Sequence, residues 1–408
     1  MHERIVDGKR TAQVTMLLLA LYPLLNYYST PLLPLGYVLF LLYIGYKCLV
    51  SNFKKQFVFP KPFLVFWAYA AITIFFASGG IFKLSFLFPG GFTFCLWAIL
   101  LGFVIRHFNL DLLQKYLKII FFAAFIVLVL QQFMYWTTGS QFVAFIPLTN
   151  ELTLSVDYEE LSRSIIASDR SCAFFSEPAH FAQYVLVLLG IEFFKKENRE
   201  KLITITAVFI IISLLLLRSG NGFIGLLVLL VIKFLDYFKA NGYKSVIVLI
   251  IVVPLAWYGF SRYAETEGGE AAMSRTEEIT TTDRSGHSFY RLFRGYIIYS
   301  NMPVINQAVG ATPDYLYTMS IPFLHESGEQ ESDMYFNGIQ SVLIFNGLIG
   351  LILLVLFYIK EAMKAEMLGK AQSLLLLTLS LIGQMYLGPI MLLCTGIMSS
   401  QKKIINEK

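Results

Sequence analysis

The sequence predicts an all-α polytopic membrane protein, and three observations predict it. Of its 408 residues, 57% are hydrophobic and only 14% charged, with a mean hydropathy of +0.65. A soluble domain carries about 25% charged residues. Apolar runs of roughly 17–25 residues, each long enough to cross a bilayer as a helix, recur along most of the chain. Lysines and arginines gather in alternate connections between those runs, as a membrane topology requires. The net charge of +5 says little by itself, because position decides what each charge does.

In chain order, spans are expected at residues 11–28, 32–50, 62–78, 87–105 and 117–136, then at 178–194, 202–217, 222–235, 246–260 and 335–359. The last apolar stretch, 371–399, contains Gly388-Pro389 and reads either as one kinked helix or as two short ones. The expectation is therefore eleven or twelve transmembrane helices with two long extracytoplasmic loops. The first run follows Arg4, Lys9 and Arg10 without a small-residue cleavage site, so it is expected to be retained. The chain then divides into helices 1–5 (residues 1–136), a first outer loop (137–177), helices 6–9 (178–260), a large outer loop (261–334) and the C-terminal helices (335–408).

With the N-terminus cytoplasmic, the inner connections carry Lys54-Lys55 and the basic residues of 106–118, 195–201, 239–244 and 360–370. Outside fall Lys83, Arg163, Arg170, Arg218, Arg262, Arg275, Arg284, Arg291 and Arg294, which leaves 23 of the 32 basic residues inside if the tail at Lys402-Lys403 is also cytoplasmic. The outer cations are almost all arginine. The positive-inside rule does not distinguish arginine from lysine. A planar, two-pronged donor does suit phosphate or carboxylate. The outer loops also hold 17 of the 27 acidic residues, so pairing with acids is the other reading. The four cysteines, Cys48, Cys95, Cys172 and Cys394, are scattered and imply no disulfide framework.

Four stretches carry candidate chemistry. In RSCAFFSEPAHF (170–181), Glu177-Pro178 marks a helix start, and Glu177, His180 and Tyr184 share one face of the helix entering the bilayer. Free amides at that N-terminus add partial positive charge, and Arg170 lies just upstream. Glu177 reads either as a base or as a plain cap. In RSGNG (218–222), an arginine at the mouth of two spans suggests function. The alternative is a tight turn with Arg218 snorkelling outward. In HSFYRLFRGY (287–296), Arg291 and Arg294 fall on one face of an amphipathic helix, fit for a substrate or for anionic lipid heads. In YFNGIQSVLIFNGLIGLILL (335–354), Asn337, Gln340 and Ser341 form a polar face, while Gly347 and Gly350 permit close contact.

These stretches, in this order, resemble the bacterial O-antigen polymerase and O-antigen ligase family of multi-span membrane glycosyltransferases. RSCAFFSEP matches the family's R-x-x-G-x-F-x-E-P-like stretch, with Ala173 in place of the glycine. RSG at 218–220 matches a following serine-arginine-glycine-like turn, and Arg291 and AVGA (308–311) match the arginine-bearing helix and glycine segment of the large loop. Asn337 and the Gly347/Gly350 pair fit the H-N-x-x-L and G-x-x-G patterns, but Phe336 stands where the histidine belongs, which counts against ligase. The resemblance runs from Arg170 to the C-terminus.

The resemblance implies a GT-C-like fold in the bacterial inner membrane, with the active site on the periplasmic face. It implies an enzyme that transfers a growing glycan from undecaprenyl pyrophosphate to the next lipid-linked repeat unit, in the synthesis of O-antigen, capsule or exopolysaccharide. The lipid-linked oligosaccharide is then both donor and acceptor, a chain-length regulator is a candidate partner, and no nucleic acid is involved. Arginine compensates the departing diphosphate without a metal, so no cofactor is expected. Arg218 and Arg291 are assigned to the pyrophosphate, with Arg170 and Arg294 as further candidates. Glu177 is the expected base, oriented by His180, and Tyr184, Asn337 and Gln340 are expected to line the substrate. A ligase, a lipid-linked oligosaccharide flippase or transporter, and a scaffold of the same pathway are the competing readings.

Overall fold

The computed structural model describes residues 2–26, 33–51, 56–76, 93–144, 170–199, 203–241, 287–312 and 336–400, with a few isolated positions besides. The expected span at 246–260, most of both expected outer loops, and Lys83, Arg163, Arg262, Arg275 and Arg284 lie outside the described residues.

Among the described residues every regular element is a helix: α1 (His2–Leu25), α2 (Leu35–Val50), α3 (Lys61–Phe76), α4 (Thr93–Arg106), α5 (Leu110–Thr138), α6 (Pro178–Phe194), α7 (Ile205–Leu217), α8 (Gly220–Asn241), α9 (His287–Asn301), α10 (Val304–Val309), α11 (Gly338–Lys364), α12 (Met367–Ile382) and α13 (Pro389–Ser400). Of these, α5, α11 and the Gly220–Lys239 part of α8 are long and apolar enough to cross a membrane, and α2, α4, α6, α7, α12 and α13 are shorter apolar helices. The stretch at 371–399 falls into two helices. Gly383 leaves helical geometry at φ −136, Leu387 turns left-handed at φ 54, and Pro389 opens α13.

The chain forms two compact units, with the division inside α2. The first contains α1, the start of α2, and α5 to α8. Its centre is α6, apolar on every side and buried at every position from Phe181 to Phe194, as a helix without a polar face must be. In lipid, burial of apolar surface drives little, so close packing by small residues decides which helices meet. Here the glycines of α8 do so. A Cβ on Gly225 would lie 2.3 Å from Leu186 Cδ1, and one on Gly222 would lie 3.1 Å from Ala182 Cβ. Asn109 caps α5 by accepting from the Leu112 amide, and Thr204 caps α7 by accepting from that of Ala207.

The second unit contains the rest of α2, α3, α4 and α9 to α13. Here α11 is central, packing on α3, α9, α10 and α12. It is not continuous. Gly347 sits at φ 66, ψ −176, so the helix breaks after its first nine residues. The AVGA segment fills the break: the Ala311 amide donates to the Ile344 carbonyl at 2.8 Å, and the Tyr69 hydroxyl of α3 donates to the carbonyls of Asn346 (3.0 Å) and Ala308 (3.3 Å). Gly347 therefore meets the α10 segment, and its partner Gly350 makes room for Tyr69.

Candidate functional site

In the first unit the predicted residues collect around the N-terminus of α6. Glu177 occupies the cap position in extended geometry (φ −144, ψ 150), with Pro178 next, as the sequence predicts. Its side chain, however, makes no capping hydrogen bond and is exposed. The carboxylate is not spent on the helix. His180, half-buried one turn in, places Nδ1 3.0 Å from Ser176 Oγ. Tyr184 is different: it is 0% exposed, its ring 5.3 Å from that of Phe175, and its hydroxyl has no hydrogen-bond partner among the described residues. Tyr184 lines no open surface, because every face of α6 is covered at that depth.

Arg170 is held by a network that sequence reading missed. Gln131 and Gln132 of α5 are buried in an otherwise apolar run. The amide of Gln132 donates to Ser171 Oγ (2.8 Å), which donates to Gln141 Oε1 (2.7 Å). Gln141 Nε2 donates to the carbonyls of Arg170 (3.1 Å) and Ile165 (2.7 Å). Gln131 clasps Ala173, accepting from its amide at 2.8 Å and donating to its carbonyl at 3.4 Å. Three glutamines thus fix the backbone that carries Arg170 toward α6. The signal for two of them was legible: a Gln-Gln pair inside FIVLVLQQF is expensive in an apolar helix unless it is bonded.

The local field is mixed. Burial pushes the Cys172 thiol up to about 12, with the Glu177 carboxylate adding to the shift and the Arg170 guanidinium opposing it.

Arg218 caps α7 in left-handed geometry (φ 47, ψ 44) and is half-buried. That conformation costs a non-glycine residue roughly 1–2 kcal/mol. The contact of Gly222 with Ala182 sets Arg218 at the same end of α6 as Glu177. Gly222 is used for helix packing, while Gly220 faces open space.

At the opposite end of α6 lies a second polar group. The buried Glu192 receives Lys118 Nζ (2.8 Å), Gln114 Nε2 (2.5 Å) and Thr204 Oγ1 (2.9 Å). Lys195 bridges Asp111 (2.6 Å) and Glu197 (3.0 Å). Burial works against that ammonium, but its hydrogen bonds to the two acids hold it above its ordinary range. Arg199 pairs with Asp236 through two bonds of 2.7 and 2.5 Å. Lys118, Lys195 and Arg199 are thus matched by acids and anchor α5, α6 and α8 to one another.

In the second unit, Arg291 and Arg294 lie on α9, three residues apart, and Arg294 is half-buried. Gly295 rests on Gln340, whose Cβ would lie 2.6 Å from a Cβ added there. Asn337 and Gln340 are buried and bonded to each other: Asn337 Oδ1 accepts from the Gln340 backbone amide (2.9 Å), and Gln340 Oε1 accepts from the Asn337 backbone amide (3.2 Å). They form the capping box that starts α11. Sequence reading also missed Asn346, whose Oδ1 accepts from the Tyr386 hydroxyl at 2.5 Å beside the break.

No protein-family model matches the chain, and no curated protein matches it.

Proposed function

We propose that this chain is a membrane glycosyltransferase that polymerises lipid-linked oligosaccharide repeat units at the extracytoplasmic face of a bacterial inner membrane. What carries this reading is the first turn of α6. Glu177 stands at the cap with its carboxylate exposed and making no capping bond, and Arg170, His180 and Arg218 are half-buried at the same end. A second support is Ala173, which adopts φ 53 where the resembled family has glycine. A left-handed backbone is what that glycine would supply.

In the proposed reaction an acceptor hydroxyl attacks the anomeric carbon of the donor glycan. Its proton passes to Glu177, the bond from that carbon to the phosphate oxygen breaks, and undecaprenyl pyrophosphate leaves with the electron pair. Arg218, backed by Arg170, offsets charge on the leaving diphosphate, as fixed guanidinium donors can in a dry site. Arg291 and Arg294 of α9 are assigned to lipid-borne diphosphate on the same chemistry. Attack in line from the opposite face inverts the anomeric centre. The apolar helices would hold the polyprenyl tails within a GT-C-like arrangement.

A transporter is the second reading, and the break in α11 is the observation that favours it, since broken helices build transport sites. Against it, the Ile344 and Asn346 carbonyls at the break are taken by Ala311 and Tyr69.

The test is to delete the gene and extract the lipid-linked glycans. Single repeat units on the outer leaflet are expected. Units trapped on the inner leaflet mean a flippase, and full-length polymer left on the carrier means a ligase. In the complemented strain, Arg218→Lys and Arg291→Lys should each stop chain growth with expression unchanged. Chains of normal length from both would remove the diphosphate assignment.

A further inference from the structure

The chain from α9 to Ala308 descends along α11, and Gly310 and Ala311 turn back toward Phe345 and Ile344. Gly295 meets Gln340 in the first turn of α11; Ile298 and Met302 share a core cluster with Ile344; Ala308 sits against Gly347. The order of contacts down α11 follows the order of residues along α9 and α10. At 1.5 Å per residue, Gly347 lies about 14 Å below Gly338. Helix α11 is long and apolar enough to span a membrane, and its two pieces laid end to end measure about 40 Å against a hydrocarbon layer of about 30 Å. A helix centred in that layer puts Gly347 about 8 Å beneath its surface.

A chain that turns at such a depth meets no water, so its own side chains must satisfy its backbone. They do. Gln307 Nε2 donates to the carbonyls of Ser300 (3.1 Å) and Met302 (2.9 Å), at and just past the end of α9. The Tyr299 hydroxyl donates to the Gln307 carbonyl (2.9 Å), and Asn306 Nδ2 donates to that of Gly310 (3.0 Å). Ser300 and Asn301, exposed on the outside of the turn, fold their donors back onto the Ile297 carbonyl, each at 2.8 Å. Pro303 at the corner has no amide to satisfy. Yet the tip is greasy: Val304 is 82% exposed and Ile305 68%.

We propose that residues 287–312 form a re-entrant hairpin that dips into the bilayer, with Val304 and Ile305 at its tip in contact with lipid acyl chains. This segment was expected in an outer loop. The inference concerns the bilayer alone and stands apart from the polymerase reading.

The test uses the full chain in phosphatidylcholine vesicles, with its four native cysteines changed to serine and one nitroxide at Val304, Ile305, Ile352 or Glu366. The exposed Ile352 of α11 is the lipid reference, and the exposed Glu366, between α11 and α12, is the aqueous one. At 304 and 305, collision with oxygen should exceed collision with a water-soluble nickel complex several-fold, as at 352. A ratio like that of 366 overturns the proposal. So does poor access by both reagents, which would place a protein surface or a second copy over the tip. With native cysteines retained, Val304→Asp and Ile305→Asp should cut the folded yield several-fold, while Val304→Leu should not. Wild-type yield from both aspartate variants would also sink it.

Discussion

Gln131 brackets Ala173: its side-chain oxygen accepts from the Ala173 amide at 2.8 Å, and its nitrogen donates to the Ala173 carbonyl at 3.4 Å. The clasp holds an L-residue at φ 53, where glycine is at ease and alanine is not. Releasing that strain should outweigh the extra freedom glycine gives the unfolded chain. Ala173→Gly is expected to stabilise the protein by about 0.5–1 kcal/mol. Ala173→Val, branched at a buried left-handed position, should cost about 2 kcal/mol or more. Unfolding midpoints in detergent check both. A glycine variant less stable than the parent would show that the backbone here is not left-handed.

Cys172, in the same clasped segment, is buried with its thiol pushed up to about 12. The thiolate is the reactive form, so at pH 8 maleimide labelling should run about a thousandfold slower than at an ordinary thiol. Gln132→Ala removes the bond to Ser171 and should release the segment, raising the rate. The sign of the pH effect follows from the shift. The folded state keeps its proton while the unfolded thiol loses it above 9.0, so stability is complete below 9.0 and falls as pH rises toward about 12. A chain whose stability rises over that range would contradict the buried placement.

Most helices were legible because length and hydropathy alone define an apolar span. Residues 178–194 were read as a span and are helix α6. Faces were less legible. Periodicity puts Glu177, His180 and Tyr184 on one side of α6, but it cannot say that neighbouring chain covers this side from Phe181 onward. The N-x-x-Q spacing of Asn337 and Gln340 fits a capping box as well as a polar lining, and only the backbone geometry shows that the capping box forms. The glutamine network was hidden for another reason. Its partners, such as Gln132 and Ser171, lie 39 residues apart, beyond any local pattern.

Arg218 keeps a left-handed backbone at the end of α7, where a glycine would be cheaper. A residue retained at a cost of roughly 1–2 kcal/mol points to function. Arg218→Gly should therefore raise the unfolding midpoint by the equivalent of about 0.5–1 kcal/mol and abolish chain growth. Loss of both stability and chain growth would reduce Arg218 to a structural residue. Normal chains from a stabilised variant would leave the arginine without a role.

The capping box at α11 separates structure from substrate contact. Asn337→Ala should cost about 1 kcal/mol, whereas Asn337→Ser retains an oxygen that can accept from the Gln340 amide and should stay within a few tenths. Chain length made by the serine variant is expected to be unchanged. A folded Asn337→Ser that makes no polymer would return Asn337 to the substrate.

Gly347 sits at φ 66, ψ −176, a region open essentially to glycine alone. A Cβ there would lie 2.2 Å from the Ala308 oxygen, so the clash is with backbone and cannot be relieved by turning a side chain. Alanine must therefore either drive the 308–311 segment out of the break or pull α11 straight, and both outcomes break the bond from the Ala311 amide to the Ile344 carbonyl. Gly347→Ala should lose about 3 kcal/mol or more. It should also expose the Ala311 amide to hydrogen exchange. Gly45 of α2 is the control: a Cβ there meets nothing within 4 Å, so Gly45→Ala should be neutral or mildly stabilising. If Gly347→Ala kept both its midpoint and the protection at Ala311, α11 would have to be continuous, and the docking of AVGA into it would be wrong.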